Sequence, residues 1–362
     1  MRSRSKRLFT VITAVVGITA VAAAFVSTAG GKTEARKGQE RYTIYLSNNF
    51  VGNDYRQQML RSARVVTRKG PLAGRIDLRI ENVETTATAQ INSLNNMIRA
   101  RPDAIIIDAG SGTALNPTIR RACARDILVI SFDQVVTEPC AYKIQSDFSE
   151  IPRVLAAWMA RILKGRGDVF IDRGLAGAPI SAQITNGYLS VLRRFPNINI
   201  VGRFNGNYAL GPEQSGVASL LAANPDVDGI LTQGYGVGAL RALRQAGRPP
   251  VPVTAFAYNT SAVSCAQTRG ARCILGSNAP YLSADALRLA VQVLDGDQPN
   301  RPRTIISRTP YFTTNVVSLP GFRNATLERI RIGRNAFPNL APGLSLPISP
   351  NWVRITPQEA AG

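Results

Sequence analysis

Residues 101–134 read RPDAIIIDAGSGTALNPTIRRACARDILVISFDQ. Ala104–Asp108 (AIIID) is a continuous apolar run rich in β-branched residues, and Leu128–Ser131 (LVIS) is another. Between them, Asn116–Arg125 has helical spacing. A strand with one face in water alternates apolar and polar residues. Continuous apolar strands separated by helices are instead parallel strands covered on both faces. The stretch therefore reads strand, helix, strand, and it sets the class as α/β.

The same alternation extends outward. On the N-terminal side, Tyr42–Ser47 and Arg75–Asn82 read as strands, with helices over Asp54–Lys69 and Thr86–Ala100. On the C-terminal side it restarts with a helix at Asp147–Lys164, a strand at Asp168–Ile171 and a helix at Pro179–Phe195. Ile198–Val201, Gly229–Thr232 and Val253–Ala255 continue as strands, with helices at Glu213–Ala223 and Gly236–Ala246. Two βα sets of this length predict two α/β lobes rather than one sheet. Cys273–Gly276, a helix at Leu282–Leu294 and a strand near Thr304–Ser307 follow. Beyond Leu319 the chain is rich in Pro, Gly and Asn with little periodicity, and is read as an extension (residues 319–362) packed over the surface.

Composition narrows the function. With 45% hydrophobic and 18% charged residues, the 362-residue chain has globular composition. It contains no His, which excludes Ser-His-Asp triads, Cys-His dyads and His-ligated metals. Its four Cys, at 123, 140, 265 and 273, form no CxxC pair. The formal charge is +20, but the Arg residues are scattered and no basic stripe interleaves with aromatics, so nucleic acid is not an expected partner.

Residues 1–29 have the three-part layout of a secretory signal: basic Met1–Arg7, uncharged apolar Leu8–Phe25, then small residues at Ser27-Thr28-Ala29. An uncleaved anchor is the rival reading. Export makes disulfides feasible. The Cys fall as two local pairs that suit Cys123–Cys140 and Cys265–Cys273, although four Cys permit three pairings.

In open parallel sheets, ligands sit beyond the carboxyl ends of the strands. The segments there (Asn48–Arg56, Asp108–Thr113, Asp133–Gln134, Arg173–Gln183, Phe204–Tyr208, Gln233–Gly236, Tyr258–Asn259 and Ser277–Asn278) are rich in amides, carboxylates and aromatics. Such groups hydrogen-bond hydroxyls and cover the apolar face of a ring. Gly234–Ala239 (GYGVGA) fits GxGxxA, yet no Asp or Glu occurs between Asp228 and Asp285 to take a ribose, so a tight βα turn is the simpler reading. Asp108–Thr113 (DAGSGT) lacks the Lys of a phosphate loop. Asp133 and Asp172 both end strands, but lie in different lobes with no nucleophile beside them.

The chain resembles type I periplasmic binding proteins of the ribose/galactose group, the substrate-capturing subunits of ABC importers. The resemblance spans about Tyr42 to Asn315. It is carried by YTIYLSNNFVGNDYRQQM at 42–59, RPDAIIIDAGSGTAL at 101–115, ILVISFDQ at 127–134, GLAGAPISAQITNGY at 174–188, NPDVDGILTQGYGVGALRAL at 224–243 and LGSN at 275–278. It implies two Rossmann-like lobes with parallel sheets joined by a three-stranded hinge. The N-terminal lobe would be 42–146 plus 279–309, the C-terminal lobe 147–278 plus 310–318, with crossings near Ser146–Asp147, Asn278–Pro280 and Pro310–Thr313.

The family's pocket positions map to Asn48, Asn49 and Phe50, to the aromatic–Arg pair Tyr55 and Arg56, and to Asp133, where the Arg that usually follows is Gln134. In the second lobe they map to Ala182 or Gln183 in place of an Arg, to Tyr208, to Gln233 with Tyr235 following Gly234, to Ala257, Tyr258 and Asn259 where an Asp is expected, with Asn259 the choice there, and to Ser277 or Asn278. The resemblance implies a sugar or related polyol held between the lobes, an ABC permease in the inner membrane as partner, a periplasmic location, a monomer and no cofactor. The residues favour binding over catalysis. A ligand-binding module for a sensor kinase or chemoreceptor is the competing function, and an exported nicotinamide-dependent oxidoreductase a further one.

Overall fold

The computed structural model describes residues 40–297, 303–322, 325–330, 337 and 339–362; the leader read at 1–29 lies outside them. The first sheet takes β1 (Tyr42–Asn48), β2 (Ile76–Asn82), β3 (Ala104–Asp108), β4 (Leu128–Phe132), β5 (Tyr142–Ser146) and β11 (Thr304–Ser307), in the order β11-β5-β4-β3-β1-β2. Every pairing in it is parallel, with Leu46 opposite Ile106 and Ile106 opposite Ile130. The second sheet takes β6 (Arg166–Asp172), β7 (Asn197–Phe204), β8 (Gly229–Leu231), β9 (Val253–Phe256), β10 (Cys273–Gly276), β12 (Tyr311–Thr313) and β13 (Leu327–Arg329). Its order is β13-β12-β10-β9-β8-β6-β7, with only β10–β12 antiparallel.

Helices cover both faces of each sheet, which is why the central strands are apolar throughout. Helices α1 (Asp54–Val66) and α9 (Leu282–Leu294) seal one face of the first sheet through Met59, Leu60, Ala63, Leu287 and Ala290. Helices α2 (Ala87–Ala100) and α3 (Asn116–Cys123) seal the other through Leu94, Met97 and Ile119. On the second sheet, α4 (Ile151–Ile162) and α5 (Pro179–Leu192) cover one face, with Trp158 of α4 fully buried as its amphipathic pattern predicts. Helices α6 (Leu210–Ala223), α7 (Val237–Gln245) and α8 (Asn259–Gln267) cover the other.

Both sheets start with the same strand order, in which the first strand of each set lies between the second and the third. The chain reverses direction across the sheet at β1/β3 and again at β6/β8, and these switch points are where crevices open. The chain crosses between sheets at 147–150, 277–281 and 308–310.

Residues beyond Leu319 do not simply lie over the surface. They add β13 to the second sheet, and Leu344, Ile355 and Ala360 are buried in the core of the first lobe while Leu346 is buried in that of the second. Short helix α10 (Pro357–Ala361) opens with a capping box between Thr356 and Glu359 and packs on α1. Isolated apolar residues among Pro and Gly carry no period, so this burial has no signature in the sequence.

Both disulfides are formed as paired from the sequence, Cys123–Cys140 and Cys265–Cys273. Among the described residues, no helix is long and apolar enough to cross a membrane.

Candidate functional site

Asn53 starts the first wall of the interlobe cleft. Its side chain accepts the Arg56 N–H at 3.0 Å, capping α1 and fixing Tyr55 and Arg56 in the first turn. Arg56 is buried against three strand ends. Its guanidinium pairs with Asp108 at the end of β3, lies 3.6 Å from Asp133 Oδ2 beyond β4, and donates to Asn48 Oδ1 at the end of β1. Asn278, in the second crossing, donates to Asp133 Oδ1 at 2.9 Å and accepts from Ser146 at 2.6 Å. Two carboxylates against one guanidinium leave this buried cluster a formal negative charge. It therefore favours ligands that offer O–H or N–H donors and disfavours anions. Burial, then the Asp133 carboxylate, push the Tyr55 hydroxyl well above its usual range, so it is a neutral donor.

The second lobe faces this cluster with neutral groups. Gln233, just past β8, donates through Nε2 to the Asp172 and Ser181 carbonyls and to Thr185 Oγ1, at 2.8–3.2 Å. Tyr208 shares a 2.5 Å hydrogen bond with Ser181. Burial pushes its hydroxyl up as well. Asp133 (φ 57°) and Tyr208 (φ 53°) both hold left-handed backbone, which non-glycine residues seldom adopt. Both line the cleft, and local strain of this kind collects where a side chain must be aimed.

Together Phe50, Asn53, Tyr55, Arg56, Asp133, Gln134, Phe148, Ile180, Ile184, Tyr208, Gln233, Phe256, Ala257, Tyr258, Asn278 and Ser345 enclose a cavity of about 520 Å³, counted to its open mouth. Gln134 and Gln233 reach it from opposite lobes. The Oε1 of each is buried with no hydrogen-bond partner among the described residues, which is the requirement a hydroxylated ligand meets.

Of the residues selected from the sequence, Phe50, Tyr55, Arg56, Asp133, Gln134, Tyr208, Gln233 and Asn278 line this cavity. Five do not. Asn48 is consumed by Asn82, Arg56 and the Phe50 carbonyl. Asn49 is buried beside Gly110. Gln183 is exposed, because α5 turns its Ile180–Ile184 face to the cleft. Tyr235 stacks on Tyr258 at 4.2 Å and donates to Asp54 at 3.4 Å behind the wall. Asn259 donates to the Leu340 carbonyl, one residue away from the lining Tyr258. Sequence reasoning missed Phe148 and Phe256, at a crossing and at a strand end, and from the segment 258–259 it selected Asn259 where Tyr258 is the residue in the lining. It also missed Ser345, for which the sequence carries no signal.

The glycine turns have structural occupants. In GYGVGA the buried Glu213 carboxylate accepts from Gly236 N–H at 3.1 Å and Ala239 N–H at 3.2 Å. It thus fills the helix N-terminus where a pyrophosphate would sit. A Cβ on Gly234 would stand 2.8 Å from that carboxylate, and one on Gly238 would stand 2.7 Å from Gln214 N. The Gly110 amide of DAGSGT donates to Gln90 Oε1 at 2.7 Å.

A family model for the periplasmic binding protein domain matches residues 44–298. The xylitol-binding protein of Mycolicibacterium smegmatis is 24% identical over 248 residues, covering 67% of this chain and 68% of that protein. The D-ribose/D-allose-binding protein of Pseudomonas aeruginosa is 24% identical over 241 residues, covering 63% of this chain and 74% of that one. Among solved structures, an ABC transporter solute binding protein from Thermobispora bispora superposes with a TM-score of 0.68 at 26% identity, over 74% of this chain and 84% of its own. A shared two-lobed fold, a cleft of aromatics and hydrogen-bonding groups at the switch points, and a match over most of its length place this chain in the periplasmic binding protein domain family.

Proposed function

We propose that the protein captures a neutral sugar or polyol between its lobes, outside the cytoplasmic membrane, and delivers it to an ABC permease. The observation that carries this reading is the cleft itself. A buried Arg56–Asp133–Asn278 cluster faces Tyr208 and Gln233 across a cavity ringed by aromatics, with unpaired amide oxygens on both sides. Aromatic faces cover the C–H face of a sugar ring, while carboxylate and amides take its hydroxyls. The names of the curated relatives, which bind xylitol and ribose or allose, support the same ligand class.

The reading is of binding without turnover. The chain has no His, and the carboxylates at the cleft are held by Arg56 and Asn278 rather than set beside a nucleophile. Catalysis of proton transfer needs a group that titrates near the working pH, and the tyrosines here are pushed away from it. The leader at 1–29 supports export.

A thermal-shift screen of xylitol, D-ribose, D-allose and the corresponding sugar acids tests the proposal, since a ligand bound only by the folded chain raises the melting point. Neutral polyols should stabilise, sugar acids should not, and small-angle scattering should show compaction with the binder. Stabilisation by the acids alone, or recovery of a chemically converted solute, would overturn it.

A further inference from the structure

Residues 341–346 turn at 342–343 and pass between the lobes, beyond the crossings that join the two sheets. The Gln58 side chain on α1 is fully buried and brackets Ser345, donating to its carbonyl at 3.1 Å and accepting its N–H at 2.7 Å. On the opposite side, Leu346 N–H donates to the Ala257 carbonyl and Asn259 N–H to the Leu344 carbonyl, both at 2.8 Å, and Ser345 bridges Tyr258 in antiparallel fashion. Leu344 is buried in the core of the first lobe and Leu346 in the core of the second. Ser345 stands between them and lines the cavity, its hydroxyl buried with no hydrogen-bond partner among the described residues. The segment is held from downstream as well: Trp352 donates to Asp285 of α9 at 2.7 Å, and Glu359 pairs with Lys69 at 2.7 Å.

We infer that the C-terminal extension is a built wall of the binding site and that Ser345 sets which polyol fits. A side chain fixed by its backbone from both lobes has little freedom to retreat, so its size and its hydroxyl are imposed on the ligand. Selectivity then comes from the extension, while the general grip comes from Arg56, Asp133 and Gln233. The inference rests on the proposed sugar or polyol binding and goes further by naming the residue that discriminates within that class.

The test uses the full chain and the probes xylitol, D-ribose and D-allose, with affinities by calorimetry and folding checked by melting temperature. Ser345→Ala keeps the backbone clamp, and should weaken the best probe by about tenfold and change the ratio among probes, as loss of one hydrogen bond in a closed site does. Ser345→Leu should reject the bulkiest probe outright while still melting cooperatively. If the unaltered chain binds and both variants keep the same affinities and ratios, the inference fails and the binding function stands. If the unaltered chain binds none of the three, the functional reading fails and takes the inference with it.

Discussion

Each lobe buries an aspartate where a parallel strand ends, and the two do different work. Asp172 closes β6 and is met only by backbone: Gly174 N–H and Gly206 N–H on Oδ1 at 2.7 Å, and Gln233 N–H on Oδ2 at 3.0 Å. A Cβ on Gly206 would stand 2.5 Å from that carboxylate, so the glycine is what lets the loop close over it. Asp133, past β4, is met by the side chains of Arg56 and Asn278 and faces the cavity. Three backbone donors saturate one oxygen and hold the other, leaving a staple that ties the loops after β6, β7 and β8. Side-chain partners come from separate elements and leave room for a ligand. A carboxylate at a strand end is thus a site only if its partners leave it accessible.

The largest effect should come from removing the staple. Asp172→Ala strands three buried N–H groups, each unsatisfied donor costing about 1–3 kcal/mol. Loss of roughly 3–5 kcal/mol of folding stability in urea denaturation is expected, with the second lobe loosening first in hydrogen exchange. A variant as stable as the parent would show that the staple is dispensable. Asp133→Ala should behave in the opposite way. It removes the acceptor proposed for the ligand and should weaken binding by about 2–4 kcal/mol, while Arg56 keeps Asp108 as its partner. An equal loss of stability in both variants would erase the distinction.

The disulfides sharpen the comparison between lobes, since each lobe has one. In the chain-entropy account, a bridge across 17 residues contributes about 3 kcal/mol and one across 8 residues about 2.5 kcal/mol. Replacing both Cys of the 123–140 pair by Ser should lower the melting point slightly more than replacing those of the 265–273 pair. The reverse order would point to differences in how well each site packs without its bridge.

The fold was legible because the information is local. AIIID at 104–108 is buried on both faces, and the helices beside it have amphipathic spacing. Tyr142–Ser146, Tyr311–Thr313 and Leu327–Arg329 were not legible. They are strands of only a few residues, too short to show a period of their own, and Tyr142–Ser146 takes its second partner, Thr304–Ser307, from far along the chain. At the site, strand-end logic found the segments but not always the residue. Tyr258 lines the cleft where Asn259 was expected, because the chain has just entered α8 and its first residue turns toward 340–344. Asn48 was spent on neighbouring strands, which only the three-dimensional pairing of β1 with β2 reveals. Ser345 comes from a segment without period, placed by Gln58 across 287 residues of sequence.

Glu213 provides the smallest expected effect and extends the comparison to a third buried carboxylate. Burial pushes its pKa from 4.5 to about 7, the nearby Asp172 adds to the rise, and the amides of Gly236, Ala239 and Gly238 oppose it. The folded chain therefore holds a proton that the unfolded chain releases near pH 4.5. Below that pH both states are protonated and the contribution to stability is full. It declines as the pH rises, and is lost by the time the pH passes about 7. Stability should fall by roughly 1–3 kcal/mol between pH 5 and pH 8 through this group. Glu213→Gln keeps a carbonyl oxygen for the start of α7 but cannot ionise, so its stability should change less over that interval. Asp172 is also raised by burial and leaves a residual slope of the same sign in both proteins. Denaturation midpoints at the two pH values, measured side by side, decide the matter: parallel pH profiles for parent and Gln variant would remove Glu213 as the source of the slope.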